Sequence, residues 1–303
     1  MKFNKYLILH FIILLWGFTP VLGKLISLPA IELVWWRLLF SLLSLYAYAR
    51  FKGVSFHLSI KQILPLLGWG TVVGAHWYFF YHAIKVSNVS VAMMGFSSIT
   101  LFASLLQPIM LKKKFFWGDL IYGLVIMIGL WIVSEAETVY LSGIIFGILA
   151  ALLGALFGVY NGSLINRYDS AQITLFEFLG AFILMTGISY VELYQNGLGF
   201  TWMPFELPGT HDLIFLLVLS ILCTTLAFTL SVEILKKIDP LTVIITNNLE
   251  PIYGVVFSVL LFKDSEIMSP SFYAGAAILL VSIFSYPLIK RRLQQTEKPA
   301  SNA

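Results

Sequence analysis

The sequence predicts an all-α integral membrane protein with ten transmembrane helices. Hydrophobic residues make up 59% of the 303 residues, charged residues make up only 11%, and the mean hydropathy is +0.90. Soluble proteins carry a charge on roughly a quarter of their residues. A spanning helix needs about 20 apolar residues, and stretches of this length follow one another along the chain. A soluble globular domain is therefore excluded.

The predicted helices are apolar stretches of spanning length, separated by short polar loops. The basic first residues and the apolar run after them resemble a secretory signal. No Ala-x-Ala-like cleavage site follows, so we predict an uncleaved first helix. In chain order the ten stretches are residues 6–26, 30–50, 62–84, 87–111, 116–134, 141–164, 171–194, 212–235, 239–262 and 268–289.

The basic residues of the loops predict that both termini are cytoplasmic. Short cytoplasmic loops are enriched in Lys and Arg. With both ends inside, 15 of the 19 basic residues fall on the cytoplasmic side, and only Lys24, Lys85 and Lys263 fall outside. The loops near Glu135 and from 195 to 212 contain neither Lys nor Arg, as expected of outer loops. This asymmetry favours an even number of helices.

A weak internal repeat divides the chain into two halves. Residues 123–127, Gly-Leu-Val-Ile-Met, match residues 275–279, Gly-Ala-Ala-Ile-Leu, at an offset of 152. Each half would hold five helices, and because five is odd, the second half enters the membrane in the opposite orientation. Inverted repeats are typical of secondary transporters that alternate access to a site at mid-membrane. The predicted units are a first repeat, 1–138, a second repeat, 139–290, and a disordered cytoplasmic tail, 291–303.

Three short motifs recur at positions that characterise one transporter family. They are Trp16-Gly17 in the first span, Pro29 followed eight positions later by Arg37 in the second, and Leu249-Glu250-Pro251 in the ninth. With the span count and the repeat, over roughly residues 5 to 290, the sequence resembles the EamA-type transporters of the drug/metabolite transporter superfamily. Members of that family have a proline midway in the fourth span, where this sequence has Ile99.

The resemblance implies a multi-pass carrier in the inner membrane of a bacterium. Its substrates would be small metabolites such as amino acids and related compounds, moved outward. The expected partners are this small-molecule substrate, the lipid bilayer and, as a candidate coupling ion, the proton. We expect no cofactor, no metal and no nucleic acid, and the oligomeric state is left open, with a monomer as one option.

Glu250 is the strongest candidate for substrate binding or coupling, since an ionisable group within a span costs about 2.5 to 3.5 kcal/mol to insert. Asn247 and Asn248 precede it, and Pro251 frees a backbone carbonyl one turn earlier. Such a segment can bind an ammonium group or a proton. The alternative is a structural kink in which Glu250 is protonated or paired.

Arg37 lies within the second span, about seven residues from its outer end. Its guanidinium can hold a substrate carboxylate through two parallel hydrogen bonds. It can equally extend toward the outer interface, or pair with Glu32 or another acid.

Aromatic residues of the first three spans can line a cavity or anchor helices at the interface. Trp16, Trp77 and Tyr78 are candidate cavity residues, and Thr19 can meet substrate if Gly17 and Pro20 break the first helix. A packing kink at these two residues is an equal alternative. For Trp35, Trp36 and Tyr81 the sequence favours interface anchors. His76 is a candidate proton relay and Glu177 a candidate cavity acid, each with structural packing as the alternative. Glycines spaced by four or seven residues in the third and sixth spans indicate close helix packing.

The sequence contains no phosphate-binding loop, no His-Glu-x-x-His and no Gly-x-Ser-x-Gly. An ATP-driven pump is therefore disfavoured. A lipid or lipid-linked sugar flippase remains the main alternative, and an intramembrane enzyme using Glu250, Glu177 or His76 is a weaker one. We predict a secondary transporter rather than an enzyme, with Arg37 binding a carboxylate and Glu250 binding an amine or a proton.

Overall fold

The computed structural model describes residues 4–112, 118–136, 138–164, 167–197, 201–235, 246 and 249–296. Over these residues the regular structure is helical, without any strand, which confirms the all-α prediction. Seven helical segments within the described ranges are long and apolar enough to span a membrane. Two shorter apolar helices, Ile121–Val133 and Pro270–Tyr286, accompany them.

Helices of the first half begin and end close to the predicted stretches. Side-chain caps fix some of these ends: Asn4 accepts a hydrogen bond from the N–H of Tyr6, and Asn88 accepts one from that of Val91. The helices are α1 (Lys5–Leu25), α2 (Ala30–Phe51), α3 (Ile60–Val86), α4 (Val89–Phe96), α5 (Ile99–Met110) and α6 (Gly118–Ala136).

The second half contains one long irregular span and a longer final helix than predicted. After a short 3₁₀ turn its elements are α7 (Leu141–Leu164), α8 (Ser170–Gln195), α9 (Thr210–Leu217), a π-helical segment (Val218–Leu226), α10 (Ala227–Leu235), α11 (Leu249–Phe262) and α12 (Pro270–Thr296). The last helix continues through residues 291–296, which the sequence assigned to a disordered tail. Residues 297–303 lie outside the described residues.

The predicted fourth span is interrupted although it lacks the family's proline. α4 ends at Phe96 and α5 begins at Ile99, with a turn at Ser97 and Ser98 between them. The Ser97 hydroxyl donates to the carbonyl of Met94 at 2.6 Å, and the Ser98 hydroxyl donates to that of Gly95 at 2.7 Å. Serine hydroxyls compete for helical carbonyls in this way. Two adjacent serines therefore accompany the break that proline would otherwise cause.

The helices pack in matching pairs between the two halves. α1 of the first half packs against α11 of the second half. Likewise, α7 of the second half packs against α4 and α5 of the first half. α3 packs against α7 and α8, while the π-helical segment, with α9 and α10 beside it, packs against α1 and α2. The remaining pair is α6 with α12, and α2 also contacts α8. The main contacts between the halves are thus reciprocal.

Glycines bring several of these helices to backbone contact. On α3, a Cβ at Gly70 would overlap the backbone of Glu177, and on α8 a Cβ at Gly180 would overlap the backbone of Leu67. Helix association in lipid depends on such close packing, because lipid chains are as apolar as the side chains. In the sixth predicted span, α7, the glycines differ in how closely they pack. Gly147 packs on α4, whereas nothing lies within 4 Å of a Cβ at Gly158.

One end of the bundle is held by a buried carboxylate, here called the Glu266 latch (Lys24, Val89, Ser90 and Glu266). Glu266 is fully buried and pairs with the Lys24 ammonium at 2.7 Å. It also accepts hydrogen bonds from the backbone N–H groups of Val89 at 3.0 Å and Ser90 at 2.8 Å. A carboxylate at a helix N-terminus satisfies free N–H groups and complements the helix dipole. The latch therefore joins α1, α4 and the loop before α12.

Candidate functional site

The site is centred on Arg37, whose side chain is only 3% exposed. Its Nε donates to the Thr224 hydroxyl at 2.9 Å, and its Nη1 donates to the Tyr81 hydroxyl at 2.9 Å. The guanidinium also lies over the Trp77 ring, 3.7 Å from its centroid. Arg37 thus points into the bundle. Within the described part of the chain it forms no ion pair with Glu32, whereas it interacts electrostatically with another acid, Glu250.

Local helix geometry places these partners around the guanidinium. Trp77 and Tyr81 are four residues apart on α3, which puts both on one face. Thr224 lies in the π-helical segment, where its hydroxyl donates to the Leu219 carbonyl five residues earlier. The same oxygen accepts the bond from Arg37. π-Helical turns occur frequently at functional sites.

Aromatic rings form a wall beside Arg37. Phe228 on α10 contacts Trp16 at 5.7 Å and Trp77 at 6.2 Å between ring centroids. Phe178 on α8 packs against Trp77 at 5.1 Å and completes the cluster. The Trp16 indole N–H is buried and has no hydrogen-bond partner among the described residues. Trp16 therefore brings an unpaired donor to the helices that form this aromatic cluster, while the cavity role of Trp16 and Trp77 stays a prediction.

Glu250 lies in the first turn of α11. It interacts electrostatically with Arg37, but the described residues contain no ion pair between the two within 4.0 Å. Part of the Glu250 surface remains accessible. Asn247 and Asn248 lie outside the described residues.

The first helix reaches this acid through Gly17. A Cβ at Gly17 would lie 3.3 Å from the Glu250 carbonyl oxygen and 2.5 Å from Cβ of Tyr253, so only glycine allows this approach. α1 is assigned as one helix that continues through Gly17 and Pro20 to Leu25. Pro20 lacks an N–H for the Trp16 carbonyl, and the Thr19 hydroxyl donates to that carbonyl instead, at 2.8 Å.

His76 and Tyr78 are held by other contacts. His76 is buried, and its Nδ1 lies 2.7 Å from the Ala150 carbonyl. Because a carbonyl only accepts, Nδ1 donates and the second ring nitrogen carries the lone pair. Tyr78 points to a different face of α3, where it stacks on His82 at 5.4 Å. The structure does not bring Tyr78 to Arg37.

Glu177 belongs to a separate polar site between α7 and α8. Its side chain is 3% exposed, and Oε2 accepts a hydrogen bond from the Asn161 amide nitrogen at 3.0 Å. No hydrogen bond joins it to the Arg37 cluster among the described residues. The sequence-predicted acids Glu250 and Glu177 therefore occupy two distinct places.

Sequence reasoning missed or misassigned several residues. Trp35, Trp36 and Tyr81 are 4%, 2% and 0% exposed, so the prediction of interface anchors is wrong. For Tyr81 the available signal was its position one turn after Trp77. Thr224 and Glu266 were not predicted at all, although each is polar and lies within or beside an apolar span.

Comparison with known proteins identifies the family. The model of the EamA-like transporter family matches residues 4–135 and again residues 141–286. The chain belongs to the EamA-like transporter family. The two matches meet at the boundary between α6 and α7, where the internal repeat also divides the chain. No curated protein matches the sequence.

Solved structures share the fold of this EamA-like protein. Of the 22 matching chains, one known from a crystal structure superposes with a TM-score of 0.66 over 97% of this chain and 99% of its own. Its sequence identity is 15%, so this likeness concerns the fold alone. Family membership makes the protein an integral membrane transporter of small molecules.

Proposed function

We propose that this EamA-like protein is a secondary transporter of small zwitterionic metabolites such as amino acids, and that it exports them by alternating access. The observation that supports this most is that two opposite charges meet within the bundle: Arg37, which lies over the Trp77 ring, interacts electrostatically with Glu250. The carboxylate of the substrate would bind Arg37, and the amine of the same molecule would bind Glu250.

The chemistry of Arg37 supports a carboxylate ligand. The bonds to Thr224 and Tyr81 use two of the five N–H donors of the guanidinium. These bonds, and the Trp77 face below, hold the group in one orientation. A preorganised guanidinium binds a planar carboxylate with little further loss of side-chain entropy. The Trp16 indole N–H provides another donor nearby.

We infer that ten helices cross the membrane, as two inverted repeats covering residues 1–138 and 139–290, with both termini in the cytoplasm. The reciprocal helix contacts between the halves support the repeat. The distribution of basic residues supports the orientation. In this arrangement the Glu266 latch lies at the outer end, so outward release requires that the latch opens.

Flux through liposomes that contain the purified protein tests the proposal. The substrate panel would hold labelled amino acids, their amine-only and carboxylate-only analogues, and a labelled lipid. We expect saturable flux of one zwitterionic class, inhibited by its unlabelled members and weakly by the single-charge analogues. Flux of amines alone, or of the lipid alone, would overturn the zwitterion proposal, and lipid movement would favour a flippase.

Glu250→Gln provides the matched test of the amine site, since it removes the charge while keeping the shape. We expect a loss of affinity for the zwitterion of at least tenfold, about 1.4 kcal/mol, with little change for a carboxylate-only analogue. Glu192→Gln, on the exposed surface of α8, is the control. Equal losses for both ligands would show that Glu250 does not bind the amine.

A further inference from the structure

Glu177 and Arg37 occupy equivalent positions in α8 and α2. Asp169 caps the start of α8, Pro29 precedes α2, and the charged residue follows eight positions later in both helices. At about 1.5 Å per residue both lie about 12 Å into their helices. Each is 3% exposed. If the halves are inverted, as proposed above, the two helices start from opposite membrane faces.

Only one hydrogen bond to the Glu177 carboxyl group is seen among the described residues. Asn161 on α7 donates its amide N–H to Oε2. The other carboxyl oxygen, Oε1, is buried without a partner, and so is the amide oxygen of Asn161. α3 packs its backbone against that of Glu177 at Gly70. Two acceptor oxygens are therefore buried without a donor from the described residues.

Few charged groups surround this carboxyl group. On α7, Tyr160 interacts electrostatically with Glu177, and Tyr160 itself interacts with Tyr168 and Arg167 beyond the helix end. In the described ranges, no ionisable group of α2, α3 or α10 interacts with Glu177. Trp69 of α3 stacks on the Tyr160 ring at 4.2 Å. Among the described residues, no cationic side chain thus neutralises Glu177 directly.

The unpaired oxygen of Glu177 therefore needs a hydrogen-bond donor or a cation. Burying a carboxylate with an unpaired oxygen is costly. A hard metal ion such as Ca²⁺ needs six to eight oxygen ligands, and the described residues contain no cluster of three or more potential metal-binding side chains. A single proton requires only one oxygen, removes the charge and creates the donor that the site lacks.

We propose that Glu177 and Asn161 form a proton-binding site, separate from the Arg37 site, through which proton movement is coupled to transport. The proton binds to Oε1 of Glu177, and Asn161 holds the carboxyl group in place through Oε2. The coupling role rests on the proposed transport function, whereas proton binding itself does not.

Infrared difference spectroscopy tests proton binding without any substrate. The reconstituted full-length protein would be titrated with pH, and the C=O stretch of protonated carboxyl groups would be followed. We expect a titrating band that disappears in Glu177→Gln, shifts in frequency in Asn161→Ala, and persists in Glu192→Gln. A band unaffected by Glu177→Gln would overturn the proposal. So would a Glu177 carboxylate signal that responds to sodium at constant pH.

Transport driven by a pH gradient tests coupling. For the wild type we expect the flux of the identified substrate to rise when a gradient is imposed, and for Glu177→Gln we expect the same flux with and without the gradient. Glu177→Asp keeps the titrating group and should restore part of the response. A full gradient response in a folded Glu177→Gln protein would overturn coupling. If the wild type transports no compound, the transport proposal fails while the infrared result still decides proton binding.

Discussion

At the scale of single residues, Arg37 determines how the site recognises an anion. Lysine in its place keeps the charge but has neither the Nε bond to Thr224 nor the planar group that stacks on Trp77. For Arg37→Lys we therefore expect substrate affinity to fall at least tenfold, about 1.4 kcal/mol. Binding to the purified protein, measured by calorimetry, gives this value.

The control for this prediction is Arg50→Lys, at an exposed position of the same helix. It should leave affinity unchanged. An Arg37→Lys protein that binds substrate as tightly as the wild type would show that the guanidinium shape is irrelevant and that Arg37 acts only as a buried charge.

From the sequence, one can predict which residues share a face of one helix. One cannot predict which faces of different helices pack against each other. Arg37 was a candidate because a charge inside a span is costly. Its bonds to Tyr81 and Thr224 could not be predicted, since they depend on the contact of α2 with α3 and with the π-helical segment. Tyr81 was misassigned because aromatic residues near a span end populate both interfaces and cores.

At the scale of helices, backbone contact between α3 and α8 depends on Gly180. An added methyl group would overlap the Leu67 backbone, which cannot move as a flexible side chain would. Overpacking of this kind costs about 1 to 3 kcal/mol. We expect Gly180→Ala to lower the thermal unfolding midpoint in detergent, as measured by tryptophan fluorescence.

Gly187→Ala is the matched variant on the same helix, because nothing lies within 4 Å of a Cβ at Gly187. Alanine has the higher helix propensity, so this protein should be as stable as the wild type or more so. Equal destabilisation by both substitutions would contradict close packing at Gly180.

Helix ends were the most predictable part of the fold. α1, α2 and α3 begin and end within two residues of the predicted stretches, and α7 matches its stretch at both ends. These bounds follow from the switch between apolar and polar residues. The turn at Ser97 and the π-helical segment were not predicted, because each depends on a few local hydrogen bonds that leave hydropathy unchanged.

At the scale of the whole molecule, the Glu266 latch connects the two halves. Glutamine at this position removes the charge paired with Lys24 and places an amide nitrogen among N–H donors. Breaking a buried pair costs about 3 to 5 kcal/mol. For Glu266→Gln we expect a lower unfolding midpoint, whereas Asp264→Asn, exposed in the same loop, should have no effect. An unchanged midpoint for Glu266→Gln would mean that the latch contributes no stability.

The membrane orientation can be tested because Cys223, the single cysteine, is buried. Introduced cysteines at the exposed positions Lys52 and Trp202 would then be the reactive ones. We expect a membrane-impermeant maleimide to label Trp202→Cys in intact cells and Lys52→Cys only after permeabilisation. The reverse pattern would invert the topology, and labelling of both from outside would contradict an odd number of spans between them.

The π-helical segment makes the recognition of Arg37 dependent on helix register. If one wide turn between Leu219 and Thr224 tightened to ordinary helical geometry, everything after it would rotate by about 100°. Thr224 would then leave Arg37, and Phe228 would leave the indole rings of Trp16 and Trp77. A register shift of one residue within a single turn would therefore remove the Thr224 contact of Arg37 and disrupt the aromatic wall together. No helix would have to tilt.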